Sequence, residues 1–252
     1  MEKIKADVVM VSDIHIVDAD DERAQMLESL IRILISSDVK NFILIGDIFD
    51  FLLGTGSYFD KKFRSIANLL KELSESGTRV IFLEGNHEFK SSELKWQGVE
   101  YVDEGSFRLD EFGLVVAHGD MIKEDKNYFL FRRFIRSSFI TQLARLIPGY
   151  LLNKLALYMS AVSRNSEDYD SIPVEAIAKS IAQWQERENA KIAVCGHFHI
   201  PYAEKSSVGD FYCMPWWGQI PNALVLNEGD MKRVYFKGSK LSFDPCKSIF
   251  LP

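Results

Sequence analysis

The stretch Asn41-Phe-Ile-Leu-Ile-Gly-Asp-Ile-Phe-Asp50 decides how the chain is read. Phe42 to Ile45 is an apolar run with the length and β-branched content of a buried strand, and it ends in Gly46 followed at once by Asp47. Gly46 lets the backbone turn, which leaves Asp47 at the strand's carboxyl end. Ligands of open α/β sheets bind at that edge, so a carboxylate there is a candidate metal ligand. Standing alone, the same pattern would read as an acidic helix N-cap.

Working outward, the same grammar recurs four times. Residues 6–12 run into Asp13 and His15, and residues 80–83 run into Gly85, Asn86, His87 and Glu88. Residues 114–117 lead to His118, Gly119 and Asp120, and residues 191–195 lead to Gly196, His197 and His199. Singly, each block has a bland reading as a turn or a chance Asp-x-His. Jointly they do not, because all five histidines of the chain belong to the set. Five strand ends bearing oxygen and imidazole donors describe one convergent polar edge. Such donors, without thiolates, suit Mn²⁺, Fe²⁺, Zn²⁺ or Co²⁺. Two ions about 3.5–4 Å apart activate one water and steady the entering and leaving oxygens at phosphorus. A pair of that kind needs a shared oxygen ligand, and Asp47 is the candidate.

Asp13-x-His15, Gly46-Asp47, Gly85-Asn86-His87-Glu88, His118 and Gly196-His197-x-His199 together resemble the calcineurin-like metallophosphoesterases, with all five blocks in order over nearly the whole chain. The resemblance implies an α/β fold, a four-layer double β-sandwich flanked by helices. It is expected as a single domain over residues 1–252 with a helical cap inserted at 121–172. It also implies two divalent ions, manganese by the same likeness. Asp13, His15, Asp47 and His199 would hold one, and Asp47, Asn86, His118 and His197 the other. Asn86 and His87 would be catalytic, with His87 near the leaving oxygen. Glu88 stands where the family more often has Asp, and an acid there is expected to orient a ligating or catalytic imidazole.

Composition narrows the classes. A chain of 252 residues, 47% hydrophobic, can bury a large core. Cys195, Cys213 and Cys246 are an odd number without metal spacing, which points to a reducing cytoplasm and not to a disulfide framework. The opening leads straight into a strand, so no leader peptide is expected. A net charge of −6 gives no support to nucleic-acid binding. The charge is unevenly spread: residues 121–164 carry +6 and the remainder −12.

Periodicity predicts a helix over roughly residues 21–36, and another from about Asp60 with Phe63, Ile66, Leu70 and Leu73 inward and Gly77 as its stop. With the first three strands these make a β-α-β-α-β start. Short strands at 99–103, 107–109 and 114–117 are expected to form a meander on a second sheet. Helical signals return between 127 and 161, broken at Pro148-Gly149, and again after Pro173.

About 75 residues separate Asp120 from Gly196. Within them Tyr128, Phe131, Ile135 and Phe139 form a stripe beside Arg132, Arg133 and Arg136, and residues 146–161 are more apolar still. Plain packing on the core would account for this. Apolar surface beside clustered arginines also suits an amphiphile with a phosphate head, or a membrane rich in anionic lipid. The run from His118 to Tyr128 with the arginines that follow, Ser163-Arg164-Asn165-Ser166, and Phe89 resemble the UDP-2,3-diacylglucosamine pyrophosphatases of lipid A biosynthesis. That likeness implies a lipid-linked nucleotide sugar as substrate, cut to UMP and 2,3-diacylglucosamine 1-phosphate by a protein peripheral to the cytoplasmic face of the inner membrane. It assigns substrate contacts to Asn86, His87, Asp125, Tyr128, Arg132, Arg164, Asn165, Ser166 and His197. His87 departs from the Arg of well-known members, and the spacing from Asp120 to Tyr128 is one residue short. A phosphodiesterase or nucleotidase for a soluble substrate is the alternative enzyme reading. A non-catalytic scaffold of the same fold is weaker, since a scaffold has no chemical need for His87.

Overall fold

The computed structural model describes residues 3–122, 126–166, 174–205, 209–219 and 221–235, with only the helical backbone over 159–166. The chain begins with β1 (Lys5–Val11), α1 (Glu22–Ile35) and β2 (Asp38–Ile45), then β3 (Leu52–Leu53), α2 (Tyr58–Lys62), α3 (Arg64–Glu75) and β4 (Arg79–Leu83). β5 (Glu88–Phe89), β6 (Val99–Val102), β7 (Ser106–Leu109) and β8 (Leu114–Ala117) follow. Helices α4 (Lys126–Ile135), α5 (Ser138–Arg145), α6 (Gly149–Ser166) and α7 (Val174–Glu188) precede β9 (Ile192–Cys195) and β10 (Tyr202–Lys205). β11 (Asp210–Cys213), β12 (Asn222–Asn227) and β13 (Asp230–Tyr235) complete the described chain.

Strand alternation builds the layers. A six-stranded sheet runs β13-β12-β1-β2-β4-β6 and a five-stranded sheet runs β10-β11-β9-β8-β7. Val8, Met10, Ile43, Ile45, Ile81 and Leu83 point from the first sheet onto Leu114, Val116 and Val194 of the second. Their neighbours Val9, Val11, Phe42, Leu44 and Phe82 point the other way, under α1 and α3. On the far side Val115, Ala193, Cys195 and Phe211 lie under Ile181 and Trp184 of α7. The result is helix, sheet, sheet, helix: the four-layer double sandwich. A short β3-β5 ribbon sits apart from both sheets.

Asp21 caps α1, its carboxylate accepting from the Arg23 amide, as the acidic residue before an apolar stripe should. Two expectations fail. β6 does not open a meander on the second sheet; it pairs in parallel with β4, from Val80 opposite Val99 to Leu83 opposite Val102. The connection over residues 84–98 is long enough for a parallel return, which needs about a dozen residues. The helix expected from Asp60 is two, α2 and α3, meeting at Phe63 (φ −109°, ψ 26°). Phe63 is fully buried with its ring 4.2 Å from that of Phe49, so packing fixes the break.

Ile43 is wholly enclosed between the sheets. Replacing it with Ala is expected to lower the unfolding free energy by about 2–5 kcal/mol in a urea titration. A loss below about 1 kcal/mol would contradict this packing.

Candidate metal centre

The ends of β1 and β2 run on side by side: the Asp13 amide donates to the Gly46 carbonyl at 3.2 Å and the His15 amide to the Asp47 carbonyl at 2.9 Å. Asp13, His15, Asp47, His197 and His199 all have positive φ, between 50° and 66°. Left-handed backbone costs an L-residue roughly 1–2 kcal/mol, and here it turns each side chain back over its strand end. The glycines of the motifs serve close approach. A Cβ on Gly85 would sit 2.2 Å from Asp47 Oδ1, and one on Gly196 would sit 2.1 Å from Asp13 Oδ2.

The side chains then converge. Asp13 Oδ1 is 3.3 Å from His199 Nε2, which is 3.4 Å from His15 Nε2. Nearby, His118 Nε2 is 3.4 Å from Asp47 Oδ2 and 3.0 Å from Asn86 Oδ1. Asp47 Oδ2 also lies 3.8 Å from His15 Nε2 and 3.9 Å from His87 Nε2, so it faces both sets. Bonds of about 2.0–2.2 Å to a common ion put neighbouring donors roughly 3 Å apart. The donor spacings observed here fit that requirement. Among the described residues, three groupings have every donor within 4.8 Å of the others: Asp13, His15 and His199; Asp13, Asp47 and His118; and His15, Asp50 and His87.

Tautomers follow from the neighbours. His118 Nδ1 donates to the Ile45 carbonyl at 3.1 Å and His87 Nδ1 to the Asp50 carbonyl at 2.7 Å, leaving each Nε2 toward the centre. The His197 amide donates to Asp13 at 3.0 Å, and its ring lies 5.2 Å from that of His118. Burial, with the charge of His118, pushes the His197 imidazole down to about 4, in the neutral form a metal ligand must take. Burial would also depress His118, but the Asp47 carboxylate outweighs it and drives the group up to about 10. Burial opposes the charge of Asp13 and Asp47, yet adjacent imidazoles hold both carboxyls below their usual range. The centre is thus a buried set of carboxylates and imidazoles, donors that suit divalent cations.

Glu88 corrects an expectation. Its buried carboxylate orients no imidazole; it accepts from the amides of Asp47, Ile48, Phe49 and Gly85 at 2.8–3.1 Å. The longer side chain reaches under the β2 turn and fixes the backbone that presents Asp47. Burial and the neighbouring Asp47 push its carboxyl up to about 8 against those amides.

Tyr128 and Arg132 both turn to Asp120, the hydroxyl donating at 3.0 Å and Nε at 2.7 Å. Asp125 lies outside the described residues, as do the side chains of Arg164, Asn165 and Ser166. Asp50 was missed by sequence reasoning although it lies three residues past Asp47; the repeat of acid after an apolar pair was its signal. Arg136 was grouped with arginines that suit a phosphate head or an anionic membrane, and nothing in its spacing marks its burial. Trp216 stacks on His199, the ring centres 6.2 Å apart.

The family model for calcineurin-like phosphoesterase matches residues 6–201. A UDP-2,3-diacylglucosamine hydrolase of Pseudomonas syringae pv. syringae is 23% identical over 256 residues, 97% of each chain. Proteins of the same name from Neisseria gonorrhoeae (26% over 195 residues, 75% of this chain and 80% of that one) and Ralstonia nicotianae (28% over 165 residues, 64% and 61%) are similar too.

Metal-stripped protein titrated with Mn²⁺ is expected to melt at rising temperature, gaining about 2.7 kcal/mol at a hundred times the dissociation constant. Asp47→Ala should flatten that response. A wild-type melting curve indifferent to Mn²⁺, Zn²⁺ and Co²⁺ would remove the cation site.

Proposed function

The chain belongs to the calcineurin-like phosphoesterase family, and from that premise we propose that it hydrolyses the pyrophosphate of UDP-2,3-diacylglucosamine, releasing UMP and 2,3-diacylglucosamine 1-phosphate. The observation that carries the substrate is an apolar cavity of about 340 Å³ lined by Phe89, Phe131, Ile135, Ile140, Leu152 and Leu155. Phe89 directly follows His87-Glu88, so a fatty chain in that cavity would leave its phosphate end beside the centre. Relatives named for this hydrolysis point the same way.

Bound divalent cations, two Mn²⁺ in this reading, supply Lewis acidity at phosphorus and a water activated at neutral pH. Asp13, His15, Asp47 and His199 would hold one, and Asp47, Asn86, His118 and His197 the other. Asn86 and His87 would face the phosphoryl oxygens. With Nδ1 held by the Asp50 carbonyl, His87 turns Nε2 toward the centre, where it would donate a proton to the departing phosphate. Asp125, Tyr128, Arg132, Arg164, Asn165 and Ser166 are assigned to the sugar-nucleotide head.

The helices α4, α5 and α6 support a place on the membrane, because their polarity is reversed. Their buried described residues are Arg132, Thr141 and Asn153, while Leu130, Phe139, Leu146 and Tyr158 are 67–80% exposed. With basic residues such as Lys126 and Lys154 on the same segment, this face suits the cytoplasmic surface of an anionic inner membrane. No helix among the described residues is long and apolar enough to cross one.

In ¹⁸O-water with Mn²⁺ and UDP-2,3-diacylglucosamine, label is expected in UMP; label in the lipid phosphate, or no turnover, contradicts the reading. Asp47→Ala should lower kcat at least about 100-fold, since even partners of metal ligands are worth 10–100-fold. Phe139→Glu with Leu146→Glu should abolish sedimentation with phosphatidylglycerol vesicles, and wild-type protein that ignores such vesicles would refute the membrane assignment.

A further inference from the structure

Helix α4 reaches two of the ligand loops through two arginines one turn apart. Arg132 donates to Asp120, two residues beyond His118. Arg136, just past the helix end, has a side chain only 8% exposed and turns to the connection between β4 and β5. Its Nη1 is ion-paired with Glu84 and lies 3.3 Å from the Asp103 carbonyl. Its Nη2 donates to the Gly85 carbonyl at 2.6 Å and the Glu88 carbonyl at 2.8 Å. The guanidinium lies over the Phe89 ring, 5.1 Å from its centre. The two carbonyls it grips bracket Asn86 and His87.

A guanidinium is a planar fork of fixed geometry, so two carbonyls bound to one nitrogen are held at a set separation. Loops at sheet edges are ordinarily the parts of a fold that open most easily. This loop is clamped from outside by α4 and from inside by Glu88. Arg136 also lines the apolar cavity, so whatever fills that cavity excludes water from its pairing with Glu84 and strengthens it.

We propose that Arg136 is a positioning residue: through it the seating of α4 sets the shape of the Gly85–Glu88 loop and hence the placement of Asn86 and His87. The inference rests on the phosphoesterase reading but not on the lipid nucleotide as substrate. It is therefore tested with bis(p-nitrophenyl) phosphate and Mn²⁺ on the full chain, and by hydrogen exchange, which needs no turnover.

Arg136→Gln should lower kcat at least tenfold with KM within twofold, and speed amide exchange over residues 84–90 at least tenfold. Arg32→Gln, which removes an exposed guanidinium of α1, should change neither. Because Arg136→Gln strands the Glu84 charge, the double variant Glu84→Gln/Arg136→Gln separates stability from positioning. It should recover the melting temperature while kcat stays low and loop exchange stays fast. The proposal is overturned if the double variant regains wild-type kcat along with its melting temperature, or if residues 84–90 exchange in Arg136→Gln at the wild-type rate. Wild-type protein inactive on the diester would count against the phosphoesterase reading, and the exchange measurement would then decide the role of Arg136 alone.

Discussion

Two buried carboxylates, Asp13 and Asp47, impose the constraint that the rest of the structure answers. Each has a side chain no more than 3% exposed, and each offers an oxygen within 4.8 Å of the other. Like charges at that separation repel by roughly 3–4 kcal/mol at an effective dielectric near 20, before the loss of hydration is counted. The imidazoles of His15, His199 and His118 group with them. A fold that keeps this arrangement, with five residues in left-handed backbone, holds a site whose charge is completed by something bound. Strain and buried charge of this kind gather where function requires them.

The double sandwich supplies the platform. Its two sheets meet through aliphatic side chains over most of their area. At the carboxyl ends of the strands the contact becomes polar: the His118 ring at the end of β8 donates to the last residue of β2, and the His197 amide beyond β9 donates to Asp13 beyond β1. Each such bond joins a candidate donor from one sheet to the backbone or candidate donor of the other. The relative placement of the sheets and the geometry of the centre are therefore one quantity, and packing errors in the core displace donors at the edge.

The strands and ligand loops were legible in the sequence because their signals are local. An apolar run closed by glycine and a donor marks a strand end whatever surrounds it. The sheet to which β6 belongs was not legible, since four half-exposed residues pair with whichever edge the preceding connection reaches. The role of Glu88 was invisible for another reason: a carboxylate that binds amides and one that binds an imidazole look alike until the backbone is placed. Arg136 was not legible as a buried residue, because clustered arginines usually face water. Its burial depends on Glu84 and on two carbonyls of a loop some fifty residues earlier, and no pattern within α4 records that.

The attachment of α4 to α6 explains how the protein can carry so much exposed apolar surface without losing definition. An amphipathic helix normally docks by its greasy stripe, which leaves its polar face outside. Here, beside the packing of Ala144 and Leu152 on the core, several contacts to the rest of the molecule are directional and polar: Arg132 to Asp120, Arg136 to Glu84, and Asn153 to Lys62, whose ammonium also donates to the Val17 carbonyl just beyond His15. Polar contacts hold orientation as firmly as apolar ones while covering less area, so the hydrophobic side chains stay available for another surface or ligand. These polar contacts end on the loops that carry the metal donors or on residues beside them. Whatever the outer face binds is thereby connected, through a few hydrogen bonds, to the place where charge is concentrated.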